Sequence, residues 1–165
     1  MRWLLIAPLA LLAACDDGPT AAEQQAQDER DVAAVEAAQT PPPLAINPQK
    51  ILYSDIERAN LFGAGCSFAP DGGGMGAIVL AKGEAGYMKL DGEIVRFAPD
   101  TGSVQLPLDA WSKYTGKENS FRLVLDEGDG EQSGMETVAF GAELTVRDER
   151  DQVVYQKRGV AQCGS

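Results

Sequence analysis

No histidine occurs in the 165 residues. That excludes Ser-His and Cys-His nucleophile pairs and His-ligated zinc. Basic residues are also scarce, with 14 Lys+Arg against 25 Asp+Glu and a net charge of -11. Such a chain has no basic footprint to displace counterions from phosphates, so a nucleic-acid partner is excluded. Neither a Gly-x-Ser-x-Gly elbow nor a Ser-x-x-Lys motif is present, and serine acyl transfer is unsupported. Carboxylates are plentiful, but any acidic surface supplies such pairs, and they do not by themselves define acid/base chemistry. The expectation is a non-enzymatic protein without metal or cofactor. With 44% hydrophobic and 24% charged residues, the chain has the composition and length of one globular domain with extensions.

The longest extension opens the sequence. Arg2 precedes an apolar run over residues 3–14, which Pro8 interrupts. Twelve residues fall short of the roughly 20 that a helix needs to cross a bilayer, and fit the h-region of a secretory signal over residues 1–14. The segment Leu12-Ala13-Ala14-Cys15 resembles the lipobox of bacterial lipoproteins. The resemblance implies cleavage before Cys15, diacylation of its sulfur and usually a third chain on its amino group. Two or more acyl chains hold a protein on a membrane stably. The alternative is ordinary cleavage after Ala14, which leaves Cys15 a free thiol. Asp16 after the cysteine resembles the inner-membrane retention signal of enterobacteria-like lipoproteins. The expected location is therefore the periplasmic side of a bacterial envelope, with inner and outer membrane both open.

If Cys15 carries lipid, Cys66 and Cys163 remain as an even pair in an oxidising space, where a disulfide is expected. Residues 15–43 read as a linker rich in Ala, Glu, Gln and Pro, with no aromatic side chain. This composition buries too little apolar surface to offset ordering, so a disordered tether is expected, reaching roughly 30 Å as coil. Helix is the local alternative over residues 21–39, since Thr20 and Glu23 have capping-box spacing.

Residues 44–165 read as one all-β domain. Phe121, Leu123 and Leu125 alternate with polar neighbours, as do Phe140, Ala142, Leu144 and Val146. Val104, Leu106 and Leu108 alternate too, with Pro107 placing that run at an edge. Asp91-Gly92 predicts a tight hairpin between residues 87–90 and 93–98. Residues 65–68, 77–81 and 153–163 complete seven to eight strands, and residues 54–61 suggest a short helix capped by Ser54 or Asp55. A small antiparallel barrel or sandwich follows, with Cys66 and Cys163 on neighbouring first and last strands.

Two polar turns invite ligand readings. The Gly-rich turn at residues 71–76 lacks the Gly-Lys-Ser/Thr ending of a phosphate loop, and reads as a hairpin loop. Residues 126–131 lack the ligand alternation of an EF-hand, and read as a solvated turn. The segment that stands out is residues 111–117, where Trp111, Ser112, Lys113 and Tyr114 gather aromatics and a cation in an acidic chain. That is the composition of a partner-binding loop, set against the favoured reading that Trp111 and Tyr114 plug one end of the barrel with the lysines solvated.

The order Cys66, Leu90-Asp91-Gly92, Ser112-Lys113-Tyr114 and Cys163 resembles the membrane-bound and periplasmic inhibitors of c-type lysozyme. The resemblance covers about 100 residues. It implies a small β-barrel whose Ser-Gly-x-x-Tyr loop enters the lysozyme cleft, with Ser112 and Tyr114 as contacts and Lys113 beside them. The sequence departs from that pattern: no Gly follows Ser112, and Tyr114 comes two residues after it rather than four. The reading is thus a lipid-anchored binding or envelope-interaction module, with lysozyme inhibition through residues 111–117 as the alternative. Its acidic domain, 12 basic against 18 acidic residues from Lys50 onward, favours a basic partner such as lysozyme.

Overall fold

The computed structural model describes residues 18–39, 41–74 and 76–165. The signal segment, the lipobox with Cys15, and Asp16 lie outside the described residues. The chain divides into two compact units at Pro42/Pro43.

In the first unit, α1 spans Ala21–Gln39 and buries no residue. The segment expected as coil is therefore helical, and its local chemistry explains why. Ala, Glu and Gln lose little side-chain entropy in a helix. The Thr20 N–H donates to Glu23 Oε2 at 2.8 Å, and the Glu23 N–H donates back to Thr20 Oγ1 at 3.3 Å. This capping box satisfies amides that an open helix end leaves bare. The expectation that the segment contributes nothing to a core agrees with its full exposure.

The second unit is an antiparallel up-and-down barrel. After α2 (Tyr53–Ala59) come β1 (Gly65–Pro70), β2 (Val79–Ala81), β3 (Gly86–Leu90), β4 (Glu93–Pro99), β5 (Lys113–Thr115), β6 (Asn119–Leu125), β7 (Glu131–Gln132), β8 (Val138–Asp148) and β9 (Val153–Gly164). Each of the eight staves pairs with its sequence neighbour, β6 pairs directly with β8, and β1 pairs with β9 to close the ring. The two-residue β7 lies outside that ring, against the start of β8. Cys66 and Cys163 face each other in the closing register and form a disulfide across a separation of 97 residues.

Period-two alternation fills the interior. Phe68, Val79, Met88, Phe97, Tyr114, Phe121, Leu123, Leu144 and Val146 are all fully buried. Phe121 stacks on Tyr114 and meets Phe97 edge-on. Gly86 lets these rings reach the wall, because a Cβ there would stand 2.5 Å from the Phe121 ring. The barrel encloses packed side chains, as small eight-stranded barrels do.

A second, smaller cluster lies on the outer face, where Ile51, Leu61 and Leu80 pack with Ile56, Tyr87 and Ile94 beneath α2. The cap of α2 differs from the expected Ser54 or Asp55. Leu52 is the N-cap residue, and Asp55 reaches back from the third helical position to accept the Leu52 N–H at 2.9 Å.

Two strand assignments change. Residues 103–108 form no strand, since Leu108 and Asp109 take left-handed backbone angles (φ 58 each) and only Gln105 makes an isolated bridge, to Trp111. The missing stave is instead β5, within the segment read as a loop. The eight-stave count is met, but with a different member.

Candidate functional site

The strap from Asp100 to Ser112 folds over one end of the barrel and delivers the side chains expected to bind a partner. Tyr114 is fully buried and Ser112 nearly so, at 5% exposure. The Tyr114 hydroxyl accepts the Trp111 N–H at 2.8 Å and donates to the Lys82 carbonyl at 2.7 Å. Burial holds its pKa above the ordinary phenol value. Trp111 is half-buried against the core, and the Lys113 ammonium lies 3.4 Å from Asp100. The burial of Ser112 and Tyr114 accords with the favoured reading that this segment plugs a barrel end, while Trp111 and Lys113 stay partly exposed. The cause is parity: once residues 113–115 become a stave, Ser112 and Tyr114 must face inward.

The two polar turns are tied into the barrel: in the first, the Asp71 N–H donates to the Arg158 carbonyl at 3.0 Å and the Gly73 N–H to the Pro70 carbonyl at 3.1 Å. Asp126 pairs with Arg158 across the sheet, and Glu131 lies in β7. Among the described residues, no three acidic or thiol side chains gather as they would around a metal ion.

Two surface features remain. Beside α2, a groove of about 380 Å³ is lined by Tyr53, Phe62, Leu61, Leu80 and Lys82. Tyr53 and Phe62 meet edge-on at 6.3 Å, and both are more than half exposed. The Lys82 ammonium donates to the Leu61 carbonyl and, at 3.0 Å, to that of Gly63, while burial lowers its pKa. Lys82 thus ties the loop after α2 to the barrel. On the same helix Asp55, 3% exposed, is held by Lys89 at 2.8 Å and Arg58 at 3.4 Å. The Lys89 hydrogen bond, followed by that from the Leu52 N–H, keeps the Asp55 carboxyl below the usual range.

The second feature is a cleft of about 610 Å³ at the barrel end opposite the strap. Its floor is Ile46, Leu90 and Val95, half-buried residues packed on the core above Phe97. Its rim carries Asp91, Glu93, Glu118 and a single cation, Lys117. All four rim side chains are exposed, and none of the three carboxylates makes a hydrogen bond or ion pair among the described residues.

The cleft exists because the wall is thin there. β4 pairs with β3 from Glu93 to Phe97, but with β5 only through Ala98 and Pro99. β5 ends at Thr115, and the Gly116 N–H turns back to the Asn119 carbonyl at 2.8 Å. β4 therefore runs past its neighbour, leaving one side uncovered. Sequence reasoning missed this site because its signal is a difference in strand length. The short β5, bounded by Gly116, carries almost no periodicity of its own.

The molecule is thus defined as an eight-stave up-and-down barrel with a filled interior, a strapped end and an acidic cleft. No protein-family model, curated protein or solved structure matches the chain.

Proposed function

We propose that the protein is a lipid-anchored, periplasmic, non-enzymatic module that binds a cationic protein partner. The observation that carries this reading is the cleft at the open side of β4, where three unpaired carboxylates rim an apolar floor. Apolar floors with a few oriented polar groups are the usual form of binding sites, including the mouths of barrels. The surrounding surface reinforces it, since 18 acidic against 12 basic residues from Lys50 onward draw cations towards the domain. The anchor is supported by the lipobox sequence at Cys15, and the oxidising compartment by the Cys66–Cys163 disulfide.

A c-type lysozyme, being basic, is a suitable first probe. Entry of Ser112 and Tyr114 into its cleft would require side chains that the barrel holds in its core, so a lysozyme would be met at the acidic cleft instead. Calorimetric titration of the full chain in detergent with lysozyme, at physiological salt, tests the reading. Saturable binding that weakens with added salt is the expected result. Absence of binding by lysozyme and by other basic periplasmic proteins would overturn the cationic-partner reading.

A further inference from the structure

The cleft has a backbone side as well as a charged one. In a two-residue hairpin the residues flanking the turn exchange both backbone bonds, and bonded pairs then alternate along the ladder. Leu90–Glu93, Met88–Val95 and Gly86–Phe97 are the bonded pairs of β3 and β4. Ile94 and Arg96 consequently turn their N–H and C=O groups to the other side, where, among the described residues, no strand pairs with them and no backbone bond reaches them. The next residue in this series, Ala98, is the one that pairs with Thr115 of β5.

We propose that β4 accepts an extended segment of a partner protein as an added strand, filling the gap that the short β5 leaves in the wall. This deepens the binding-module reading and rests on it. Backbone groups of Ile94 and Arg96 supply the ladder, and alternate side chains of the incoming segment supply specificity. Side chains on the inward face of that segment meet Val95 and then Glu93, with Glu118 across the gap. The matching segment has an apolar residue and a Lys or Arg two positions apart, with one small polar residue between them. A free acidic edge admits such a segment and repels a second copy of this net-acidic chain, which meets the hazard that open edges carry.

The test uses the full chain and a synthetic blocked peptide, Thr-Val-Thr-Lys-Thr, followed by amide NMR. Saturable shifts centred on the Ile94 and Arg96 amides, with slowed hydrogen exchange there, are expected. N-methylating the two ladder-forming amides of the peptide should weaken binding at least tenfold, as should exchanging its Lys for Glu. Arg96→Pro removes an edge donor that the barrel does not use, so the variant should keep its near-UV circular dichroism and lose the peptide. Should that variant misfold, the N-methylated peptide still decides. Binding indifferent to N-methylation, or no shift at Ile94 and Arg96 at millimolar peptide, overturns strand addition. If lysozyme still binds in that case, and loses that binding after Glu93→Lys with Glu118→Lys, the cleft and the module reading stand without strand addition. Loss of both activities removes both readings.

Discussion

The Tyr114 hydroxyl donates to the Lys82 carbonyl across 32 residues of sequence and accepts the Trp111 N–H, so one buried phenol joins the β2–β3 loop to the strap. Replacing it with phenylalanine leaves both partners buried without a bond. Tyr114→Phe should destabilise the barrel by about 1–3 kcal/mol, read as a lower urea midpoint with an unchanged slope. The same substitution carries a pH signature. Burial raises the Tyr114 pKa, so the stability it confers is complete below the free phenol value of about 10 and is lost as pH rises through the folded value. The alkaline fall in stability should be shallower in the variant, with Tyr155, also raised by burial, contributing equally to both proteins.

The acid limb has a separate origin. Asp55 has its pKa lowered, first by the Lys89 hydrogen bond, then by the Leu52 N–H. Its contribution is present above the free carboxylate value of about 3.9 and disappears as pH falls through the lowered folded value. Asp55→Asn should therefore melt several degrees below the wild type at neutral pH, and the gap should close below about pH 4. A gap that persists at low pH would show that the Lys89 contact is not the source.

The disulfide is the third test. Cys66→Ser with Cys163→Ser should cost about 2–5 kcal/mol, chiefly by freeing the unfolded chain. Denaturant unfolding of the oxidised protein and of the double variant measures it. Without reductant, mass analysis of the oxidised protein should show residues 66 and 163 linked.

Much of the barrel was legible because its staves obey one rule. Phe121, Leu123, Ala142, Leu144 and Val146 alternate strictly and all face inward. Asp91-Gly92 announced its turn through the positive φ that both residues adopt, 49 and 85. The failures have equally local causes. Val104, Leu106 and Leu108 imitate a strand, yet only Leu106 is buried and Val104 is 70% exposed. There the spacing serves a strap that dips one side chain into the barrel end. Three residues of β5 are too few to show a period, so Tyr114 was legible as a plug of the barrel end but not as part of a stave. The site at β4 was illegible for a related reason: unpaired backbone groups leave no mark in side-chain composition.

In β9 a local pairing and the barrel's most distant one meet on a single strand. Val153–Gly164 pairs with β8 across the short turn that precedes it and with β1 across almost the whole barrel, so a chain without it leaves raw borders on both β1 and β8. Pairings this distant in sequence are slow to form, because their loop-closure entropy is met before any contact rewards it. The twelve-residue β9 is thus the latch of the ring, and a nascent chain that lacks it carries two templates for misassociation.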